Sequence, residues 1–189
     1  MKMKVNIGVS ARHIHLSKED FEILFPGETL NVYKEISQYP NFASDKKVSL
    51  RNGDRRIDNV RVVGPLRNET QIELSKTDCI FFKIDAPLRN SGDLSDAAEI
   101  EIINGDNSIK RECVIIQNRH IHMSYEDAEE YGYEDDQVVK VKINSIKGGV
   151  MENVHIKLGD KFKLELQLDT DDANAFMIDK EVVGEIIND

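Results

Sequence analysis

The sequence predicts a mainly β fold: two small β-barrels with short capping helices, related by an internal repeat. Three observations carry this expectation. Apolar and polar residues alternate in short runs, and NG, GD, GP or KGG turns separate those runs. The hexapeptide RHIHLS at Arg12–Ser17 returns as RHIHMS at Arg119–Ser124, so four of the five histidines lie in two copies of one pattern. Period two is the strand period, and short strands broken by turn residues point to barrels or sandwiches. Duplication of a β unit predicts two pseudo-equivalent barrels.

In chain order, VNIGV opens as a strand and HIH follows as another. Ser17 then precedes KEDFEILF, a serine N-cap with acids in the first turn, where the helix dipole favours them. KVSL, NVRVV, QIEL, IEII and CVII are strands of the first half. After the second HIH, Ser124 caps YEDAEEYG, and VVKVKI, NVHIKL and LELQL are strands of the second half. A third short helix is expected to start near Thr170 and run through DDANAF. The repeat reaches past the hexapeptide: DNVRVVG (Asp58–Gly64) matches ENVHIKLG (Glu152–Gly159), and Glu73 follows Asn59 at the distance at which Gln167 follows Asn153.

Bulk properties exclude several classes. With 40% hydrophobic and 32% charged residues in 189, a packed core is attainable and disorder is not expected. A net charge of −10 argues against a nucleic-acid partner, although local arginines can still hold a small anion. Cys79 and Cys113 form neither a CxxC motif nor a framework, which suits a reducing cytoplasm. No apolar run approaches a membrane span, and MKMKVNIGVS runs straight into a strand pattern, leaving no room for a signal peptide or a docking helix.

His-x-His on a strand puts both imidazoles on one face, where they can share a metal, while Ile14 and Ile121 point to a core. A polar strand face is the plain alternative for one such motif; two copies favour metal, with zinc the default for imidazole and carboxylate ligands. A third ligand must come from elsewhere. Glu73, an acid between Ile72 and Leu74, is a candidate, or else an exposed strand acid. Cys113 reads as a buried thiol. Arg61, Arg67 and Lys76 bracket Glu73, and Arg89 precedes Asn90, Ser91 and Gly92, a possible backbone nest. Each alone reads as surface charge, but together they favour a phosphorylated or otherwise anionic ligand.

The stretches GVSARHIHLS, NVRVVGPLRNETQIELSKTD, PLRNSGD, RHIHMSYEDAE and LDTDDANA together resemble the phosphate propanoyltransferases, a family of phosphotransacylases. The resemblance runs from Val5 to about Ala175. It implies one barrel from residues 12–119 and a discontinuous second from residues 2–11 and 120–189, with a dinuclear zinc site between them. It also implies the reaction of acyl-CoA with phosphate to give acyl phosphate and free coenzyme A. By the same resemblance His13, His15 and Glu73 hold one zinc, with the coenzyme A sulfur completing its shell, and His120 and His122 hold the second. Arg67 matches the phosphate-binding arginine, and Ser10, Lys34, Arg61 and Asn174 match positions lining the coenzyme A site.

One departure stands out. Where the family carries a third histidine, in a stretch similar to LEMHIDTDEAN, this chain reads LELQLDTDDAN and places Gln167, a neutral oxygen donor. If residues 152–158 and 164–168 form a hairpin about Lys161, His155 faces Gln167 and could substitute; an ordinary exposed histidine is the alternative. The expected function is therefore a cytoplasmic, zinc-dependent phosphotransacylase for acetyl- or propanoyl-CoA. Its rivals are a catalytically impaired coenzyme A-binding or assembly protein, and a metal hydrolase of acyl phosphates or thioesters. A homo-oligomer is compatible with the sequence, and microcompartment association is not indicated.

Overall fold

The computed structural model describes residues 3–179 and 182–187; residues 2, 180, 181, 188 and 189 of the expected second barrel fall outside them. The chain divides into two compact units. One comprises Ala11–Ile36 and Pro40–Gln117; the other comprises Met1–Ser10, Asn118–Asp189 and the short segment Ser37–Tyr39.

In the first unit, six strands close a ring: β4 (Phe42–Asn52), β5 (Arg55–Gly64), β2 (His13–His15), β6 (Gln71–Glu73), β9 (Asn107–Gln117) and β8 (Ala98–Asn104), which returns to β4. Strands β3 (Val32–Glu35) and β7 (Leu88–Arg89) attach to the edges of β4 and β9. In the second unit the ring runs β1 (Met3–Val9), β13 (Glu165–Leu168), β10 (His120–Met123), β12 (Gly149–Leu158), β11 (Val138–Ile143) and β14 (Val183–Ile187). Four helices cap strand ends: α1 (Lys18–Leu24), α2 (Lys76–Phe82), α3 (Tyr125–Tyr131) and α4 (Thr170–Ala175). No helix among the described residues is long and apolar enough to cross a membrane.

The two rings are wired alike. Each HIH strand pairs in parallel with an NV strand (β2 with β5, β10 with β12) and antiparallel with the following short strand (β6, β13). The next neighbour is again parallel: β9 beside β6, and β1 beside β13. The strand from the start of the chain thus fills in the second ring the place that β9 fills in the first, so that ring is closed by a permuted strand.

The repeated NV has a backbone cause. Asn59 (φ 63°) and Asn153 (φ 55°) both adopt the left-handed conformation that asparagine tolerates better than most residues. Both lie where the pairing register slips by a bulge, between Val48/Leu50 on β4 and between Val139/Val141 on β11. Valines Val60 and Val154 then return to the two interiors, at 1% and 0% exposure.

Inside the rings, Ile14, Leu50, Val62, Ile72, Ile102 and Val114 form one core, while Val141, Val154, Ile156, Ile121 and Leu166 form the other. Burying each such side chain contributes about 1.5–3 kcal/mol. Ile14 and Ile121 are both wholly buried, so the flanking histidines occupy the outer face of each ring.

The arginine of RHIH is a clamp. Arg12 holds Asp78 on α2 with two hydrogen bonds (2.6 and 2.9 Å), and Arg119 holds Asp172 on α4 in the same way (2.6 and 2.8 Å). Each aspartate is the third residue past its helix N-cap, donating its backbone N–H to Ser75 or Asp169. Helix α2 carries the same Ser-x-x-Asp signature as α1 and α3 and was not expected from the pattern of the sequence, because KTDCIFF is nearly uniformly apolar after its first turn. Replacing Arg119 with alanine leaves Asp172 without its fork. The expected loss is about 1–3 kcal/mol of stability, read as a lower denaturant midpoint at unchanged slope. Arg119→Lys should recover only part of it, since an ammonium cannot reproduce the bidentate pair.

Candidate functional site

On the first unit, adjacent strands bring His13, Glu73 and Arg61 into one row: β2 pairs His13 with Glu73 on one side and with Arg61 on the other. His15 and Gln71 form the next row. The ligand atoms of His13, His15 and Glu73 lie within 4.8 Å of one another. His13 Nε2 is 3.2 Å from Glu73 Oε2, while Gln71 Nε2 donates to Glu73 Oε1 at 2.7 Å.

The imidazoles are oriented from behind. His13 Nδ1 faces the Ala11 carbonyl at 3.0 Å and His15 Nδ1 faces the Val63 carbonyl at 3.1 Å. A carbonyl only accepts, so both rings carry their proton on Nδ1 and turn Nε2 inward, the second-shell arrangement that prepares histidine for a cation. Burial drives the His15 pKa well below the ordinary value, helped by the neighbouring charges of His13 and Arg67, and keeps that ring neutral. Burial acts the same way on His13, but the charge and hydrogen bond of Glu73, with the Ala11 carbonyl, outweigh it and raise the pKa. Two inward imidazole nitrogens and one carboxylate are a donor set that suits zinc with a coordination position left open.

Arg67 completes this group. Its Nη2 donates to His15 Nε2 at 3.0 Å and its Nη1 lies 3.4 Å from Ser91 Oγ. Its side-chain hydrogen bonds are thus to a histidine and a serine; burial lowers its pKa, against the charge of nearby Glu73. Arg12, Arg51, Arg111 and Arg119 each hold an acid. A half-buried guanidinium fork that forms no ion pair is a candidate anion site.

Other expected residues are placed differently. Arg61 donates to the Ser44 carbonyl and lies over the ring of exposed Tyr33, 4.7 Å from its centroid. Lys34 is exposed. Lys76 pairs with Asp85, and Arg89 is held by Ser95 and Asp96, so neither joins the histidine group. The expected nest is only partly open: the Gly92 N–H donates to Gln71 Oε1, and Ser91 Oγ is used by Gln71 as well as Arg67. Cys113 is buried, with its thiol pushed up to about 12, and Cys79 is pushed up to about 11, both by burial.

On the second unit, β10 places His120 beside Gln167 and beside His155. The expected hairpin of residues 152–158 with 164–168 does not form, because β10 inserts between β12 and β13; His155 neighbours His120 instead of facing Gln167. By register His155 is the counterpart of Arg61, and its Nδ1 is held by Asp136 Oδ1 at 2.7 Å. His120 Nδ1 faces the Asn118 carbonyl at 2.9 Å, repeating His13, and the His122 ring stands edge-on to Phe162. Both ends of Gln167 are engaged: Oε1 accepts from Ser10 Oγ at 2.8 Å and Nε2 donates to Glu165. Asn174 is exposed on α4.

Gln71 and Glu165 were missed in the sequence. The available signal was period two: Gln71 lies two residues before Glu73, and Glu165 two before Gln167, so each shares its partner's face.

These features define a class: a β-barrel protein with a candidate cation site beside a half-buried arginine. The chain belongs to the phosphate propanoyltransferase family, whose profile matches residues 6–179. It is 43% identical over 187 residues to a phosphate propanoyltransferase of Alkaliphilus metalliredigens, covering 98% of this chain and 88% of that protein. It is 44% identical over 176 residues to that of Thermotoga maritima (91% and 83% covered) and 41% over 177 residues to that of Shewanella putrefaciens (93% and 84% covered). Membership places the chain among the phosphate acyltransferases.

Proposed function

We propose that the chain transfers a short acyl group, acetyl or propanoyl, between coenzyme A and phosphate, with zinc held by His13, His15 and Glu73. The observation that supports this most is the placement of Arg67. A guanidinium outside any ion pair touches one member of a ready-made His-His-Glu set, so an anion bound there lies against the cation position.

In the forward direction a phosphate oxygen attacks the thioester carbonyl carbon, the C–S bond breaks, and coenzyme A leaves as thiolate while acyl phosphate forms. Arg67 binds and aims the phosphate, which contributes mainly proximity and orientation. Gln71 and Ser91 hold Glu73 and Arg67 in register, and the carbonyls of Ala11 and Val63 fix the histidine tautomers. When bound, zinc supplies Lewis acidity toward the developing oxyanion and an acceptor for the departing sulfur. No side-chain nucleophile is required, because the thioester is already activated. Arg61 and exposed Lys34 on the first unit are assigned to coenzyme A. Two buried free thiols support a reducing, cytoplasmic setting.

A second reading has one observation in its favour. Gln167, at the position where the resemblance implies a histidine, is tied at both ends, which favours a catalytically impaired coenzyme A-binding protein. The experiment that separates them is release of free thiol from acetyl-CoA and propanoyl-CoA, with and without phosphate, on a sample whose metal content is measured. Phosphate-dependent release by zinc-loaded protein is expected. Coenzyme A binding without release selects the impaired protein, and release independent of phosphate selects a hydrolase.

A further inference from the structure

We infer that this chain holds one zinc, on the first unit, and that the His120–His122 pair of the second unit is not a metal site. The cause lies on β13, which offers that pair an amide where β6 offers a carboxylate. This rests on the reading of His13, His15 and Glu73 as zinc ligands. The resemblance implies a second zinc on His120 and His122, and the side chains around that pair do not fit it. Among the described residues, His13, His15 and Glu73 form the single group of three histidine, cysteine or acidic residues whose ligand atoms lie within 4.8 Å of one another.

The histidine strands themselves are alike. His120 Nδ1 faces a backbone carbonyl two residues back, as His13 Nδ1 does, and in both copies the isoleucine between the histidines is wholly buried. The neighbouring strands differ. Register sets Glu73 opposite His13 and Gln167 opposite His120. Glu73 brings Oε2 to 3.2 Å from His13 Nε2. Gln167 is as deeply buried, but its amide is spent elsewhere: Oε1 accepts from Ser10 Oγ at 2.8 Å, and Nε2 donates to Glu165.

The other side chains beside the pair are committed as well. Glu165, opposite His122, presents Oε1 to Ser37 Oγ (2.9 Å) and Gln38 Nε2 (3.0 Å) as well as to Gln167. Strand β1 crowds both residues, since a Cβ on Gly8 would run into Glu165 and Gln167 alike. His155, beside His120 on β12, directs Nδ1 to Asp136 at 2.7 Å. His122 stands edge-on to the Phe162 ring, whereas His15 meets the Arg67 guanidinium. Where the first unit sets a carboxylate and a guanidinium beside its histidines, the second sets an amide and a phenyl ring.

Zinc in a site with an open position takes three protein ligands. A carboxylate supplies a charge that offsets part of the dication; a neutral amide oxygen that already accepts a hydroxyl proton does not. Two buried imidazoles alone would leave the dication without a counter-charge. Gln167 is instead a tie between β13 and the chain just past β1, beside the backbone bond from the Ser10 N–H to the Leu168 carbonyl at 2.8 Å.

The test counts zinc on the full chain: metal-free protein is titrated with zinc against a competing chelator, and its content is read by elemental analysis. The natural protein should take up one equivalent, with any second weaker by about 100-fold or more. His120→Ala with His122→Ala should keep that equivalent at unchanged affinity, and His13→Ala with His15→Ala should lose it. The exchange Glu165→Gln with Gln167→Glu restores on β13 the Gln-x-Glu order of β6 and should raise the content to two. If the exchange variant does not fold, Gln167→His, an imidazole at the same register, is read in its place. A second equivalent in the natural protein as tight as the first overturns the inference, and this count decides without the histidine variants should they not fold. So does a single equivalent that is lost with His120 and His122 and kept without His13 and His15. A folded exchange variant, or Gln167→His in its place, that gains no zinc overturns the assignment to β13. A natural protein that binds no zinc overturns instead the zinc reading on which this rests.

Discussion

Arg67→Ala is expected to lower phosphate-dependent turnover by about 10²–10³-fold, the usual consequence of removing one preorganised charge from a reacting group. Phosphate carries two charges and no large surface, so nearly all of its binding must come from fixed donors. The Arg67 guanidinium is half-buried and hydrogen-bonds His15 and Ser91, with Glu73 acting on it only through its nearby charge. It is also not needed to keep the ring assembled, because its backbone is tied independently: the Arg67 N–H donates to the Leu16 carbonyl at 2.9 Å. The loss should therefore fall on phosphate KM and turnover, while the affinity for coenzyme A and the unfolding midpoint stay close to those of the natural protein. Arg67→Lys should land between the two, since it keeps the charge but not the fork. Equal losses for phosphate and coenzyme A would assign Arg67 to structure or to the nucleotide.

Much of this geometry is legible before folding because it depends on period two. HIH placed its two imidazoles on one face and its isoleucine in the core in both copies, since a strand offers no other arrangement. The equal distances from Asn59 to Glu73 and from Asn153 to Gln167 became equal registers, with His13 opposite Glu73 and His120 opposite Gln167. What was not legible is strand order. A hairpin is the simplest guess for two neighbouring strands such as 152–158 and 164–168, yet in both rings the HIH strand threads between its two partners. That is why His155 became the neighbour of His120 and the counterpart of Arg61.

Closure by β1 was hidden for a similar reason. No local pattern reveals that a strand at the start of the chain pairs in parallel with one more than 150 residues later, Gly8 beside Gln167. Nor did composition reveal which arginines are spent. Arg12, Arg89 and Arg119 look as free in the sequence as Arg67 does, and only the fold shows that each is held by an aspartate.

Glu73→Gln is expected to have the second large effect, weakening zinc at the first site by about 100-fold and lowering turnover at limiting zinc to match. The substitution keeps the size of the side chain and one acceptor for the Gln71 amide, so the strand should stay in register; what it removes is the charge. A second consequence follows in the metal-free protein. The His13 pKa is raised because Glu73 outweighs burial, and without that charge burial lowers it. A histidine whose folded pKa lies above its unfolded value, about 6.5, adds stability below that pH and loses it as pH rises through the folded value. The metal-free variant should therefore be less stable than the metal-free natural protein near pH 6, and the gap should narrow toward pH 8. Urea midpoints at the two pH values read this directly, with no metal and no substrate present. A gap that widens with pH would mean that Glu73 contributes through something other than the charge it presents to His13.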